Sequence, residues 1–386
     1  MPEGSAETEK NDKLPTAGEV VTTKHHRYDT VKLLGKGGFG AVYMVKREDG
    51  EVFAMKCETT DVKKLVLSMD CKVLRGTFLI QSPHFCAVLD RGKVADRFRF
   101  LVMKLVLRGT FLIQSPHFCA VLDRGKVADR FRFLVMKLVG KNLWDLRIER
   151  EPPKFTMNTS LKAAEQCMMA IQDLHSVGFL HRDIKPGNFA IGRPETNEHH
   201  TIFMLDFGLC RKFVGESQVK DLRMPRSQAP FRGTTRYASQ AALKTQEQSR
   251  KDDMEAWLYM VAEWTTGALP WRRLKGTDKD DVLRWKEDIR GELHDEFLEG
   301  LPKKEFSEIM RYIDTLEYQN IPDYEFVYYC LSHAAKTQGC GPTDPLDWDP
   351  GNKYHGPTPA DREKKQKVAV AEGKYNQKQS KDSKDF

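Results

Sequence analysis

His181-Arg182-Asp183-Ile184-Lys185-Pro186-Gly187-Asn188 is the stretch that decides how this chain folds. It sets a carboxylate, a lysine and an amide at fixed offsets, and Asp206-Phe207-Gly208 follows 23 residues after Asp183. Phosphoryl transfer needs that combination: a carboxylate to orient an attacking hydroxyl, and a pair of hard oxygen ligands for Mg²⁺. Asp183 suits the first task, Asn188 and Asp206 the second, and Lys185 would steady the γ-phosphate. A His-Arg-Asp tripeptide alone is a common surface turn. Both motifs at this separation are not.

Working outward, Leu34-Gly35-Lys36-Gly37-Gly38-Phe39-Gly40-Ala41-Val42 reads G-x-G-x-x-G-x-V between apolar stretches that predict strands. Glycines let the backbone close over phosphates without a Cβ in the way, and amide N–H groups then face the ligand. Alone this is also the pattern of a plain glycine hairpin. Position strengthens it, because Lys56 ends the alternating strand Val52-Phe53-Ala54-Met55-Lys56 sixteen residues after Gly40. Lys56 would hold the α- and β-phosphates of ATP, and Ala54 would leave room above the adenine. Such a lysine expects an acidic partner on the next helix, predicted over residues 64–74. The residue in place is Asp70, one methylene shorter than the usual Glu. Either the helix sits closer or the ion pair is weaker.

Gly140-Lys141-Asn142-Leu143-Trp144-Asp145-Leu146-Arg147, His175-Ser176-Val177-Gly178-Phe179-Leu180-His181, Phe231-Arg232-Gly233-Thr234-Thr235-Arg236-Tyr237-Ala238-Ser239 and Leu269-Pro270-Trp271-Arg272-Arg273 complete a resemblance. The chain resembles the casein kinase 1 group of protein kinases, and its tau-tubulin-kinase-like branch most. Ala238-Ser239-Gln240 stands where other kinases carry Ala-Pro-Glu, a departure that group shares. The resemblance runs over residues 28–349 and implies an α+β, two-lobed fold with a small, mainly β lobe and a large, mainly α lobe. It implies transfer to Ser/Thr hydroxyls with ATP and Mg²⁺ as cofactors. Met136 would be the gatekeeper, and the hinge Lys137-Leu138-Val139-Gly140 would offer backbone groups to adenine. Basic residues in the regions of Arg236, Arg272 and Arg273 bind a phosphate or acidic group upstream of the target in that group. Guanidinium forks suit such oxyanions, although Arg236 would equally brace the activation segment.

Length and composition fit one catalytic unit: 386 residues at 40% apolar content can bury a sizeable core. No apolar run reaches the ~18 residues of a membrane span. The start Met1-Pro2-Glu3-Gly4-Ser5 lacks the basic-then-apolar pattern of a secretory signal. The eight cysteines show no paired zinc spacing, so buried thiols and a cytoplasmic or nuclear location are expected. Residues 1–20 and 351–386 are polar and are expected to be disordered. The second segment holds nine Lys/Arg against five Asp/Glu, so +4 of the formal +7 is tail rather than a basic face on the body. A solvated tail, or tethering to an acidic surface such as microtubules, are its two readings. Protein substrates, acidic or cytoskeletal such as tubulin, are the expected partners, with no nucleic acid and no membrane.

Residues 73–105 and 106–138 are identical over 33 positions. Structural repeats drift between copies, so an undrifted copy points to a recent duplication or to one exon read twice. Each copy carries the end of the first helix and two strands, and only one such pair has a place in the small lobe. Extruding the other costs about 1–2 kcal/mol in loop closure. Its wet apolar side chains, at ~25 cal/mol per Å², cost more. Met103 would be a redundant twin of Met136. The large lobe predicts helices over residues 159–175 and 252–266, the second starting near Asp253, which either braces the catalytic loop or merely opens its helix. The rival readings are a pseudokinase scaffold, for which the Glu-to-Asp change at Asp70 is the one hint, or a duplicated polypeptide that does not fold as written.

Overall fold

The computed structural model describes residues 14–23, 25–37, 40–59, 66–78, 87–94, 98–104, 115–127, 130–214 and 222–349. It divides into two compact units. The first takes the described residues of Met1–Lys141, Met169–Arg182 and Asn188–Arg223; the second takes those of Asn142–Met168, Asp183–Gly187 and Met224–Phe386. The N-terminal part is rich in strands and the C-terminal part in helices, as the two-lobed fold requires.

Strands β1 (Val20–Thr22), β2 (Arg27–Gly37), β3 (Gly40–Arg47), β4 (Val52–Thr59), β5 (Ala87–Val94), β6 (Phe98–Lys104), β7 (Val121–Val127) and β8 (Phe131–Lys137) belong to the first unit. Six of them form an antiparallel sheet in the order β1-β2-β3-β4-β8-β7. Because side chains alternate along a strand, the sheet sorts its residues by parity. Ala41, Tyr43, Val45, Phe53, Met55, Cys57, Phe131, Phe133 and Val135 pack one core. Val42, Ala54, Lys56 and Met136 lie on the opposite face, with Val42 paired to Lys56 and Ala54 to Met136.

The duplicated segment resolves into two hairpins of the same register. Val88 pairs with Met103 and Asp90 with Val102, and the identical irregularity recurs 33 residues on, between Val121–Met136 and Asp123–Val135. The second copy occupies the sheet, and β5–β6 forms a separate two-stranded sheet. The reason lies at the far end of β8. Gly140 N donates to Ile191 O at 2.8 Å and Ile191 N to Lys141 O at 3.0 Å, so β8 must lead straight into residue 140. Using the first copy would insert 33 residues at that junction. Deleting residues 73–105 leaves the sheet's sequence unchanged under any breakpoint. The shortened chain should melt a few degrees higher and give more soluble protein in a thermal scan, since ~1 kcal/mol moves a domain of this size by about 2–4 °C or less. A lower melting temperature would show that β5–β6 is integral to the fold.

The disorder expected over residues 1–20 does not hold for residues 14–20. Leu14 is buried with the sheet core, Gly18 N donates to Thr30 O at 2.7 Å, and Glu19 pairs with Arg130 at 2.5 Å. One apolar anchor and one ion pair tie the segment down; residues 1–13 and 350–386 lie outside the described residues. The helix expected over residues 64–74 is Val66–Phe78, with residues 64 and 65 outside those described.

In the second unit the helix Arg250–Thr266 is buried nearly all round, from Asp252 to Thr265, as befits the core of a helical body. Ser249 N donates to Asp252 Oδ2 at 2.6 Å, the return half of a capping box. Helix opening therefore belongs to Asp252, while its neighbour Asp253 is itself buried at 2% exposure. Trp257 Nε1 donates to Ala164 O at 2.9 Å on the helix Met157–Ser176, whose first part belongs to this unit. Asp347 accepts from Thr156 N at 2.8 Å and Thr156 Oγ1 at 2.9 Å, closing the unit near its C-terminal end. No helix of the described residues is long and apolar enough to cross a membrane, and no disulfide joins the described cysteines.

Candidate active site

In the first unit the glycine-rich stretch spans the end of β2 and the start of β3, with Gly37 paired to Gly40. Gly40 has φ +152°, and a Cβ there would stand 2.0 Å from Cys57 O, so the neighbouring strand admits glycine alone. Leu34, Gly35 and Lys36 belong to β2; Gly38 and Phe39 lie outside the described residues. Leu138 follows β8 directly and is half-buried.

Lys56 projects from the face opposite the core, and its Nζ meets two carboxylates, Asp70 Oδ2 at 3.1 Å and Asp206 Oδ1 at 2.8 Å. Burial opposes its charge, yet Asp70 and Asp206 together hold the ammonium above the usual lysine range. Burial pushes the Asp70 carboxyl up, with Lys56 pulling the other way. Asp70 has a second partner: Phe207 N donates to its Oδ1 at 2.9 Å. Thus the shorter side chain still reaches its lysine, because the helix sits close. Two contacts seat it. Glu58 Oε1 on β4 accepts from Val66 N at 2.7 Å and Leu67 N at 3.3 Å, an acid at a helix N-terminus. Gly208 lies against Val66, and a Cβ on it would come within 2.2 Å of Val66 Cγ1.

Asp206 adopts the left-handed region, φ 59°, before a short turn of 3₁₀ helix at Phe207–Leu209. Phe207 is buried, stacked on Phe118 at 5.7 Å and edge-on to His181 at 5.8 Å. Leu205 links the two halves of the oxygen set: its N donates to Asn188 O at 2.8 Å, and its own carbonyl lies 3.1 Å from His181 Nε2. Asp206, half exposed, and Asn188 supply hard oxygen donors of the kind Mg²⁺ takes. Arg182, φ 67°, donates to Leu209 O at 2.8 Å, which ties the loop to the segment after Phe207.

In the second unit Asp183 is buried, and both its oxygens are engaged. Oδ2 accepts from Lys185 Nζ at 2.7 Å and Oδ1 from Thr234 Oγ1 at 2.8 Å; Lys185 also donates to Thr234 Oγ1 at 3.2 Å. The three side chains form a closed triangle. Beside it opens a cavity of about 450 Å³ whose lining includes Trp144, Lys185, Thr234, Arg236, Trp271 and Lys275. Arg236 pairs with the buried Glu263 at 3.1 Å, donates to Arg272 O and lies over the Trp144 ring. Arg272 and Arg273 are exposed. Thr234 carries no motif of its own, and its partnership with Asp183 becomes visible only in three dimensions.

Residues 102–313 match the protein kinase domain family. The chain is similar to a probable serine/threonine-protein kinase of Dictyostelium discoideum, 32% identical over 84% of this chain and 56% of that protein. It is similar to the serine/threonine-protein kinase spe-6 of Caenorhabditis elegans, 32% identical over 87% of this chain and 79% of the other. Casein kinase I homolog 1 of Schizosaccharomyces pombe is 33% identical over 51% of this chain and 44% of its own length. The chain thus spans little more than half of the Dictyostelium relative.

Proposed function

Because this chain belongs to the serine/threonine protein kinases, we propose that it is a working enzyme, moving the γ-phosphate of ATP to Ser or Thr hydroxyls of protein substrates. The observation that carries this reading is the charge arrangement in each unit: Lys56 held between Asp70 and Asp206, and Asp183 held between Lys185 and Thr234. Lys56 would hold the α- and β-phosphates, with Ala54, Met136 and Leu138 around the adenine. Mg²⁺ bound by Asp206 and Asn188 would neutralise charge that develops on the phosphoryl oxygens. Asp183 would orient the acceptor hydroxyl, and Lys185 would steady the transferred group. The pseudokinase alternative rests on Asp70, and the 3.1 Å contact of Asp70 with Lys56 supports the enzyme reading instead.

Within the family, the motifs at 140–147, 231–239 and 269–273 favour the casein kinase 1 group and its tau-tubulin-kinase-like branch. With that placement goes a preference for acidic or phosphorylated residues upstream of the target. Arg236 is tied to Glu263, so we assign the oxyanion contacts to exposed Arg272 and Arg273, with Lys275 on the cavity wall. The test is phosphate transfer from ATP to peptides that differ only upstream of one Ser. Acidic or phosphorylated peptides should be used about tenfold better, the worth of one charge-assisted hydrogen bond. Arg272→Ala with Arg273→Ala should erase the difference. Equal use of neutral peptides by the unaltered chain would refute the preference while leaving the activity standing.

A further inference from the structure

Lys286 lies on the helix Lys279–Asp288 of the second unit and is 0% exposed. Lysine is almost never fully buried unless a partner compensates its charge. Here the hydrogen-bond partners are backbone carbonyls: Nζ donates to Thr235 O at 3.2 Å and to Ala238 O. The Tyr259 and Trp271 rings lie 4.5 and 5.2 Å from it. Burial drives its ammonium down to about 7, Glu255 opposing the shift and Arg290 adding to it. Arg290 and Tyr259 are themselves engaged with Glu255, at 3.2 and 2.6 Å, so that carboxylate is shared. A position that fills volume alone would be served better by an apolar side chain.

The carbonyls that Lys286 holds belong to the segment that carries Thr234. Trp271 Nε1 takes the carbonyl between them, Arg236 O, at 2.8 Å. Tyr237 N and Ala238 N each donate back to Thr234 O at 3.0 Å, and Thr235 Oγ1 donates to Gly276 O at 2.7 Å. Thus the carbonyls of residues 235, 236 and 238 are all held by two side chains, Lys286 and Trp271. The turn they define aims the Thr234 hydroxyl at Asp183 Oδ1, 2.8 Å away.

We infer that Lys286 is a positioning residue for phosphoryl transfer: by holding the carbonyls of Thr235 and Ala238 it keeps Thr234 on Asp183, and so sets the carboxylate that orients the acceptor hydroxyl. The inference rests on the kinase reading and deepens it. Its reach is confined to the acceptor side, because Lys56, Asp70 and Asp206 belong to the other unit. Loss of Lys286 should therefore change turnover and leave ATP binding alone.

The experiment is a double-mutant cycle on the full chain, with kcat and the KM for ATP measured for Lys286→Met, Thr234→Val and the pair. Lys286→Met should lower kcat about tenfold and hold the KM for ATP within about twofold. In the Thr234→Val background the same change should cost less than about twofold, because the link it acts through is already cut. Unchanged kcat in Lys286→Met, the same tenfold loss in both backgrounds, or a parallel loss of ATP affinity would each overturn the inference. Lys286→Gln, which keeps a donor near the carbonyls, should recover part of kcat. If neither Lys286 variant folds, the residue belongs to the fold alone and the inference is overturned. An unaltered chain that transfers no phosphate would instead strike at the kinase reading.

Discussion

Replacing Asp183 by Asn should lower kcat by about 10²–10⁴, the span that a positioned acid or base contributes. The substitution keeps size and leaves an acceptor for Thr234 Oγ1, so the triangle of Asp183, Lys185 and Thr234 should persist in shape. What disappears is the negative charge that holds Lys185 and, in the proposed role, would draw the acceptor proton. The KM for ATP should stay close to that of the unaltered chain, since Ala54, Lys56 and Met136, which are proposed to face the nucleotide, are untouched. Steady-state kinetics on a Ser peptide separates the two constants. If kcat in Asp183→Asn were undiminished, another group would have to be orienting the hydroxyl.

The second large effect concerns Asp70. Restoring the residue usual in kinases, Asp70→Glu, should impair this chain rather than improve it. The helix Val66–Phe78 is seated for the shorter side chain: Glu58 holds its first amides, Gly208 lies on Val66, and Phe207 N donates to Asp70 itself. Asp70 is 3% exposed, so one more methylene must be packed inside a buried site. Overpacking of that kind costs about 1–3 kcal/mol. Because ~1.4 kcal/mol is tenfold in rate, kcat/KM for ATP should drop about tenfold or more. A rise in kcat/KM would mean that the helix is free to move outward and that Asp70 is a defect rather than a fitted partner.

Much of this site could be read from the chain because its chemistry is carried by local motifs. Asp183, Asn188, Asp206 and Lys56 announce themselves through spacing, and alternation along 52–56 already put Ala54 and Lys56 on one face. What escaped the sequence is non-local. Nothing near residue 58 says that Glu58 will cap a helix beginning at Val66. Nothing around Thr234 gives it a task, because its partner Asp183 lies 51 residues upstream. Lys286 gave a weaker signal, a lysine four residues after buried Val282 and three before buried Ile289, on the inward stripe of its helix. Charge on such a stripe reads as an exception until the carbonyls it meets are known. The duplication was ambiguous for a different reason: identical copies form identical hairpins, and only the tie between Gly140 and Ile191 decides which copy joins the sheet.

The most direct measurement is transfer of labelled γ-phosphate from ATP to a serine peptide by the full chain, with and without Mg²⁺, followed by identification of the phosphorylated residue. Phosphoserine that accumulates with Mg²⁺, vanishes without it and is lost in Asp206→Asn is the predicted result. A chain that is folded and binds ATP, yet forms no phosphoserine under any of these conditions, would contradict the account.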